Sequence, residues 1–212
     1  MLEYVKVGQK ARESADGRRL MPRFVDHARR RDEILDAAAW VLAELGYGKF
    51  SLRAVGERMG GSTTLVTHYF SSREQLMIAL TDRVFDEAEA EVIEIQTIID
   101  PHERLRSALA FFLPVDDESA MQERIRIALL PYRRSDATVE EFFARLEVSM
   151  RALLRAGLIG FVPDAELDAN VALLRVWVNG IALSVVEHPE LWTPAQQNDA
   201  LGRFTALLEL PS

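Results

Sequence analysis

A chain of 212 residues can bury a substantial core, and 49% apolar with 27% charged residues is the balance of a globular fold. Cysteine is absent, which excludes a disulfide framework, a thiol nucleophile and a thiolate metal site. The net charge of −8 argues against a nucleic-acid partner until its distribution is considered: residues 1–73 carry +4 and the remainder −12, a basic head on an acidic body.

No apolar run approaches the ~18 residues of a membrane-spanning helix. The opening stretch MLEYVKVGQKARESADGRRL lacks the apolar centre of a secretion signal, so no membrane partner and a cytoplasmic location are expected. Residues 1–26 are polar and weakly periodic, which predicts a flexible arm; its Arg12, Arg18, Arg19 and Arg23 either supplement polyanion contacts or stay solvated. Ile34, Leu35, Ala38, Val41, Leu42 and Leu45 form one apolar stripe. They predict a first helix over 27–45, with Asp26 as N-cap and Gly46 as its end.

A second helix over about 51–59 is capped by Ser51 and turns Leu52, Val55 and Met59 inward. A third, over about 63–69, buries Leu65 and Val66. A fourth runs from 73 to about 97 with Leu76, Leu80, Val84 and Ile95 along it. Asp100-Pro101-His102-Glu103 combines a capping acid, proline at the first helical position and an acid at the third, opening a fifth helix that ends near Pro114. A sixth covers about 117–131, stopped by Pro131. The seventh runs from Asp136 to about Ala156 and is closed by Gly157. The eighth follows Pro163-Asp164 and ends at His188-Pro189. Thr193-Pro194-Ala195-Gln196 is a capping box opening a ninth helix to about Leu208. No segment alternates with period two, so the fold class is all-α with about nine helices.

The stretch FSLRAVGERMGGSTTLVTHYFSSR, residues 50–73, carries the functional signal. Two helices too short to be stable alone flank Gly60-Gly61. The side chains they leave outside are Ser, Thr, His, Tyr and Arg, which bond to phosphates and base edges. This is a helix-turn-helix pattern, and it predicts double-stranded DNA as a partner.

Gly46-Tyr47, Ser51, Arg53, Val55, Gly60, Ser62, Tyr69, Phe70, Ser72, Arg73, Glu74 and Leu76 match, over about 30 residues, the DNA-binding domain of the TetR family of bacterial transcription regulators, which this chain resembles. Three positions depart from the family pattern. Gly56 replaces a small Ala, which loosens the second helix by about 1 kcal/mol. Gly61 stands where Val normally plugs the turn, and Thr67 where a Tyr often contacts the DNA backbone. The resemblance implies a three-helix DNA-binding domain over 27–73, a connecting helix over 73–97, and an effector-binding and dimerisation bundle over 74–212. It places Thr63, Thr64 and Thr67 near base edges in the major groove and Arg53 on a guanine. Ser51, His68, Tyr69 and Arg73 would then hold the backbone. Ser51 serves as a helix cap whatever the function, and Tyr69 is partly core.

Val178-Asn179-Gly180-Ile181-Ala182 is similar to the end of the BetI-like branch of that family, with Asn in place of Asp. The resemblance implies a homodimer through helices eight and nine and release of a palindromic operator by a small-molecule effector. Val171, Leu173, Leu174, Val176, Val178, Ile181, Leu183, Val185 and Val186 surround most of helix eight, which must therefore be covered on most sides. Phe111, Phe112, Met121, Tyr132, Phe142, Phe143 and Trp177 are candidate walls of an effector pocket, or else ordinary core. Arg126 is a counter-ion for an anionic ligand or part of a solvated face. No cofactor is implied. His27, His68, His102 and His188 show no metal-ligand spacing, and no phosphate loop or nucleophile elbow occurs. An all-helical enzyme is therefore disfavoured. A helical interaction protein that has lost DNA binding is disfavoured by the retained Arg53, Tyr69 and Arg73.

Overall fold

The computed structural model describes residues 22–208, with side chains from His27 onward. Over this span the order is α1 (Pro22–Leu45), α2 (Leu52–Arg58), α3 (Thr63–Tyr69), α4 (Arg73–Thr97), α5 (Pro101–Ala110), α6 (Asp117–Leu129), α7 (Ala137–Leu158), α8 (Leu167–Glu187) and α9 (Pro194–Leu208). Single 3-10 turns cover Tyr47–Lys49, Leu130–Tyr132 and Asp164–Glu166. No strand occurs among the described residues, and the fold is all-α.

Capping chemistry explains most of the boundaries. The Ser51 hydroxyl accepts from the Ala54 amide at 3.1 Å and Ser72 from Gln75 at 3.0 Å. Asp100 accepts from Glu103 at 2.7 Å ahead of Pro101, and Asp116 and Ser119 form a reciprocal capping box. The Gln196 side chain accepts from the Thr193 amide at 3.0 Å. At the opposite ends, Arg104 donates to the Ile98 carbonyl at 2.7 Å and the Ala156 carbonyl at 2.9 Å. One cation thus satisfies orphan carbonyls, and the negative dipole ends, of both α4 and α7.

The start of α1, the exposure of Leu45 and the end of α7 differ from the sequence reading. α1 begins at Pro22 rather than at 27, because proline at the first position is preset for a helical turn. Asp26 therefore lies within the helix, and the arm expected over 1–26 gives up its last residues to it. Arg12, Arg18 and Arg19 lie outside the described residues, as does the side chain of Arg23. Leu45, placed in the apolar stripe of the first helix, is 41% exposed at its end. Gly157 does not close α7. It is buried inside that helix where α5 crosses, and a Cβ there would lie 3.0 Å from the Ala108 Cβ and 3.4 Å from the Leu105 Cα. The left-handed residue after α7 is Gly160, with φ +77°. Gly157→Val should lower stability by about 1–3 kcal/mol through overpacking of this crossing, read from thermal or urea denaturation.

Two main cores hold the helices together. The first packs Ile34, Leu42, Val55, Val66, Phe70 and Leu76 with Leu129, Val139, Phe142 and Phe143, so the head shares its interior with α6 and α7. The second joins α5, α7, α8 and α9 around Leu109, Leu154, Leu174, Val178 and Leu201. Gln197, 1% exposed, ties α9 to the chain before α6 by donating to the Pro114 carbonyl at 3.0 Å.

The segment Asp164–Glu187 is long and apolar enough to cross a membrane by length and composition, with a window of mean hydropathy 1.6. This departs from the expectation that no such segment exists; the charged Arg175 interrupts the apolar run without lowering the average far. In the fold α8 packs one face inward through Val171, Leu174, Val178, Ile181 and Val185. Its other face stays exposed, with Leu173 at 66% and Val176 at 71%.

Candidate nucleic-acid interface and internal cavity

Val66 and Phe70, 0% and 1% exposed, anchor α3 on the α1 core, and Val55, 0% exposed, anchors α2. Gly60 makes the intervening turn at φ +66°, a conformation L side chains rarely adopt. With those anchors fixed, helical periodicity turns Thr63, Thr64, Thr67 and His68 outward, and all four are exposed. The hydroxyls of Thr63 and Thr64 make no hydrogen bond among the described residues, while Thr67 donates to the Thr64 carbonyl at 3.1 Å. Arg53 projects from α2 with its side chain 81% exposed and is steadied by Glu57 at 2.8 Å.

Gly56 is more than a weakness in α2. A Cβ at that position would sit 3.1 Å from the Thr63 amide nitrogen and 3.2 Å from its Cα. The glycine lets α2 approach the backbone at the start of α3 more closely than an alanine would, so the propensity loss is exchanged for a tighter turn. Gly61, by contrast, is exposed, and an added Cβ would meet only Leu65 at an ordinary 3.6 Å.

Tyr69 is half-buried, and its hydroxyl lies 3.1 Å from the Nδ1 of His27 on α1. The His27, His68 and Tyr69 rings gather within 6.3 Å of one another. His27 belongs to this face although it lies 42 residues from Tyr69, a separation that no local spacing encodes.

Arg73 is placed differently from a phosphate clamp. Its guanidinium donates to the Phe50 carbonyl at 2.9 Å and the Tyr47 carbonyl at 3.2 Å, lies 4.0 Å above the Tyr47 ring, and stands 3.9 Å from Asp136. These contacts fasten the start of α4 beneath the turn after α1. The Tyr47 hydroxyl in turn donates to Asp136, the N-cap of α7. Burial and that hydrogen bond push the Tyr47 phenol up. Burial also works to raise the Asp136 carboxyl, but Tyr47, the Val139 and Thr138 amides and Arg73 outweigh it and hold it low. The junction between head and body is therefore a neutral phenol on an ionised carboxylate.

A cavity of about 410 Å³ opens between α4, the α5–α6 connection, α6 and α7. Phe111, Phe112 and Phe142 line it, together with Met77, Phe85 and Leu153. The other candidates go elsewhere. Tyr132 packs its ring at a tilt against Tyr47, 4.7 Å between centroids, at the head–body junction. Met121 and Phe143 pack into the core shared with the head. Trp177 lies flat on Phe204 of α9 at 4.4 Å. Apolarity alone does not distinguish a cavity wall from a core contact. Arg126 does line the cavity, but Glu123 grips it at 2.8 Å and 2.7 Å, so its charge is already matched.

The comparisons with known proteins agree with this arrangement. Residues 34–80, which span the second half of α1 through the first third of α4, match the model of the bacterial regulatory proteins, tetR family. The chain is 25% identical over 182 residues to the HTH-type transcriptional regulator PksA of Bacillus subtilis, covering 80% of this chain and 84% of that one. It is 26% identical over 157 residues to the HTH-type transcriptional activator FasR of Mycolicibacterium smegmatis, covering 74% and 69%. The crystal structure of a transcriptional regulator from Rhodococcus sp. superposes with a TM-score of 0.73 at 26% identity, over 84% of this chain and 95% of that one. A helix-turn-helix head whose exposed face is hydroxyl, imidazole and guanidinium, on a helical body with its own cavity, makes this chain a DNA-binding transcription regulator whose residues 34–80 match the tetR-family domain.

Proposed function

We propose that the protein is a homodimeric repressor that grips a palindromic operator with two copies of α3 and lets go when a small molecule enters the 410 Å³ cavity. The observation that carries this reading is the one-sided burial of α2 and α3. Val55, Val66 and Phe70 are fully enclosed, while Arg53, Thr63, Thr64, Thr67 and His68 all face solvent. Threonine methyls and hydroxyls suit base edges, Arg53 suits a guanine, and His68 and Tyr69 suit phosphates. Arg73 acts from beneath, by positioning the turn after α1. Salt-dependent binding of the protein to the DNA upstream of its own gene, followed by fluorescence anisotropy, tests the head. Absence of binding at low salt removes the regulator mechanism in favour of a helical interaction protein.

Support for the dimer comes from α8 and α9. Leu173, Val176 and Leu183 on α8 and Leu207 on α9 are 66%, 71%, 43% and 65% exposed, an apolar surface of the kind that marks an interface. Nothing lies within 4 Å of a Cβ built at Gly180 or Gly202, so a second backbone can approach these helices closely. Two-fold symmetry would make the patch self-complementary and set two reading heads about one DNA turn or more apart. Gly180 is also the centre of the Val178–Ala182 block that carries the likeness to the BetI-like branch, an assignment that rests on that block alone. The paired substitution Leu173→Glu with Val176→Glu should yield monomers in sedimentation and weaken operator binding at least tenfold, while helicity is kept. A dimer that persists would move the interface elsewhere.

A further inference from the structure

The walls of the effector cavity specify the charge of what enters it. The inference rests on the cavity being the effector site. Its lining includes five carboxylates, Glu87 and Glu91 of α4 with Asp116, Glu118 and Glu123 around α6, against one cation, Arg126. Glu123 neutralises Arg126 through two contacts, 2.8 Å to Nε and 2.7 Å to Nη2, which leaves four carboxylates at the rim of an aromatic chamber. Arg83, 3.5 Å from Glu87, is shared with Asp36 at 2.6 Å, so it matches that side only in part. Glu91 and Glu118 meet no cation among the described residues. Asp116 accepts from the Ser119 amide at 2.8 Å and hydroxyl at 2.7 Å, which hold its carboxyl low and keep it charged at neutral pH. Burial pushes the Glu87 carboxyl up, Arg83 draws it back, and Glu118, Asp36 and Asp32 push it up again. Glu87 thus stands among like charges in a partly desolvated place, where an added cation lowers the energy of every neighbour.

The apolar floor points the same way. Phe85, Phe111, Phe112 and Phe142 line the chamber, Arg145 already lies 3.9 Å over one face of Phe85, and aromatic faces attract cations. A chamber of about 410 Å³ lies within the ~300–1,000 Å³ of small-molecule sites. An anionic effector would have to bring its charge past four carboxylates, of which Glu87 alone is partly matched, by Arg83, with the one arginine of the lining already engaged.

We propose that the cavity selects a lipophilic monocation, an ammonium or phosphonium centre carrying aromatic or alkyl groups, with the onium held at the Glu87–Glu91–Glu118 rim and its apolar body on the phenylalanines. The acids alone would be only a solvated surface. It is their place in the lining of an aromatic chamber that makes them selective.

Tetraphenylphosphonium and tetraphenylborate test this directly, being nearly identical in shape and opposite in charge, with neutral triphenylphosphine oxide as the third probe. Binding to the full-length protein is measured by equilibrium dialysis and by thermal shift. The phosphonium is expected to bind at least tenfold more tightly than the borate. Glu87→Gln combined with Glu91→Gln should cut that preference about tenfold without altering operator binding in the absence of ligand. Equal or tighter borate binding, or a preference unmoved in the double variant, overturns the cation assignment. If only the neutral probe binds, the assignment falls and the effector cavity stands. If none of the three binds, both fall.

Discussion

Arg53→Ala should weaken operator binding roughly ten- to a hundredfold while leaving the fold and the dimer intact. Its side chain is 81% exposed, and its partner among the described residues is Glu57, four residues on in the same helix. An exposed ion pair of this kind contributes little to stability. The role assigned to Arg53 is therefore separable from folding, which is uncommon in so small a head. Anisotropy titration against operator DNA checks the affinity, and a superimposable thermal melt checks the fold. If Arg53 reads a base, the loss should fall mainly on the cognate sequence. A uniform loss over all sequences, with a shallower salt dependence, would make it a phosphate contact instead. Unchanged affinity would remove Arg53 from the interface altogether.

Asp136→Ala should lower stability by about 2–4 kcal/mol, because one carboxylate does two jobs. It caps α7 by accepting from the Thr138 and Val139 amides at 3.0 Å and 3.3 Å, and it accepts from the Tyr47 hydroxyl across the head–body junction. Removal leaves a partly buried phenol without an acceptor and Arg73 without its counter-charge. Hydrogen exchange should accelerate at the turn holding Tyr47 and Phe50 as well as at the start of α7. Asp136→Asn keeps the oxygen that caps α7 and replaces the oxygen facing Tyr47 with an amide nitrogen, so it should lose less than the alanine. Because the folded carboxyl is held below its unfolded value of about 3.9, its contribution is complete above that pH and is lost as pH falls through the depressed folded value. Wild type should therefore lose stability more steeply than Asp136→Asn below about pH 4. Parallel acid-unfolding curves would show that the junction does not depend on the charge.

The junction also bears on release of DNA. Tyr47, Arg73 and Asp136 join the turn after α1 to the N-terminus of α7, and α7 is itself a wall of the cavity through Phe142, Leu146, Met150 and Leu153. A ligand can shift the head only through a difference in its affinity for two arrangements. The helix that both touches the ligand space and holds the head is the physical element on which such a difference can act.

Much of this molecule is legible from local chemistry. Caps such as Ser51, Asp100-Pro101 and Thr193…Gln196 mark helix starts within a residue, because side-chain oxygens and orphan amides meet over three or four positions. The exposed face of α3 was likewise visible, since a helix with Val66 and Phe70 inward must turn Thr63, Thr64, Thr67 and His68 outward. Contacts between distant segments were not visible. Gly157 resembles a helix stop until α5 is laid against it, and Gly56 resembles a defect until α3 is packed on it. Arg73 gives no sign in the sequence that two of its donors reach back to the Tyr47 and Phe50 carbonyls. Of seven aromatic and methionine candidates for the cavity, tertiary packing kept Phe111, Phe112 and Phe142 there and sent Met121, Tyr132, Phe143 and Trp177 to cores and junctions. By itself the sequence determined where the capped helices from α2 onward begin and which faces are apolar, because those properties depend on neighbours within one or two turns. Which apolar face meets which, and where a space is left between them, depends on residues tens of positions apart, and only the folded chain decided it.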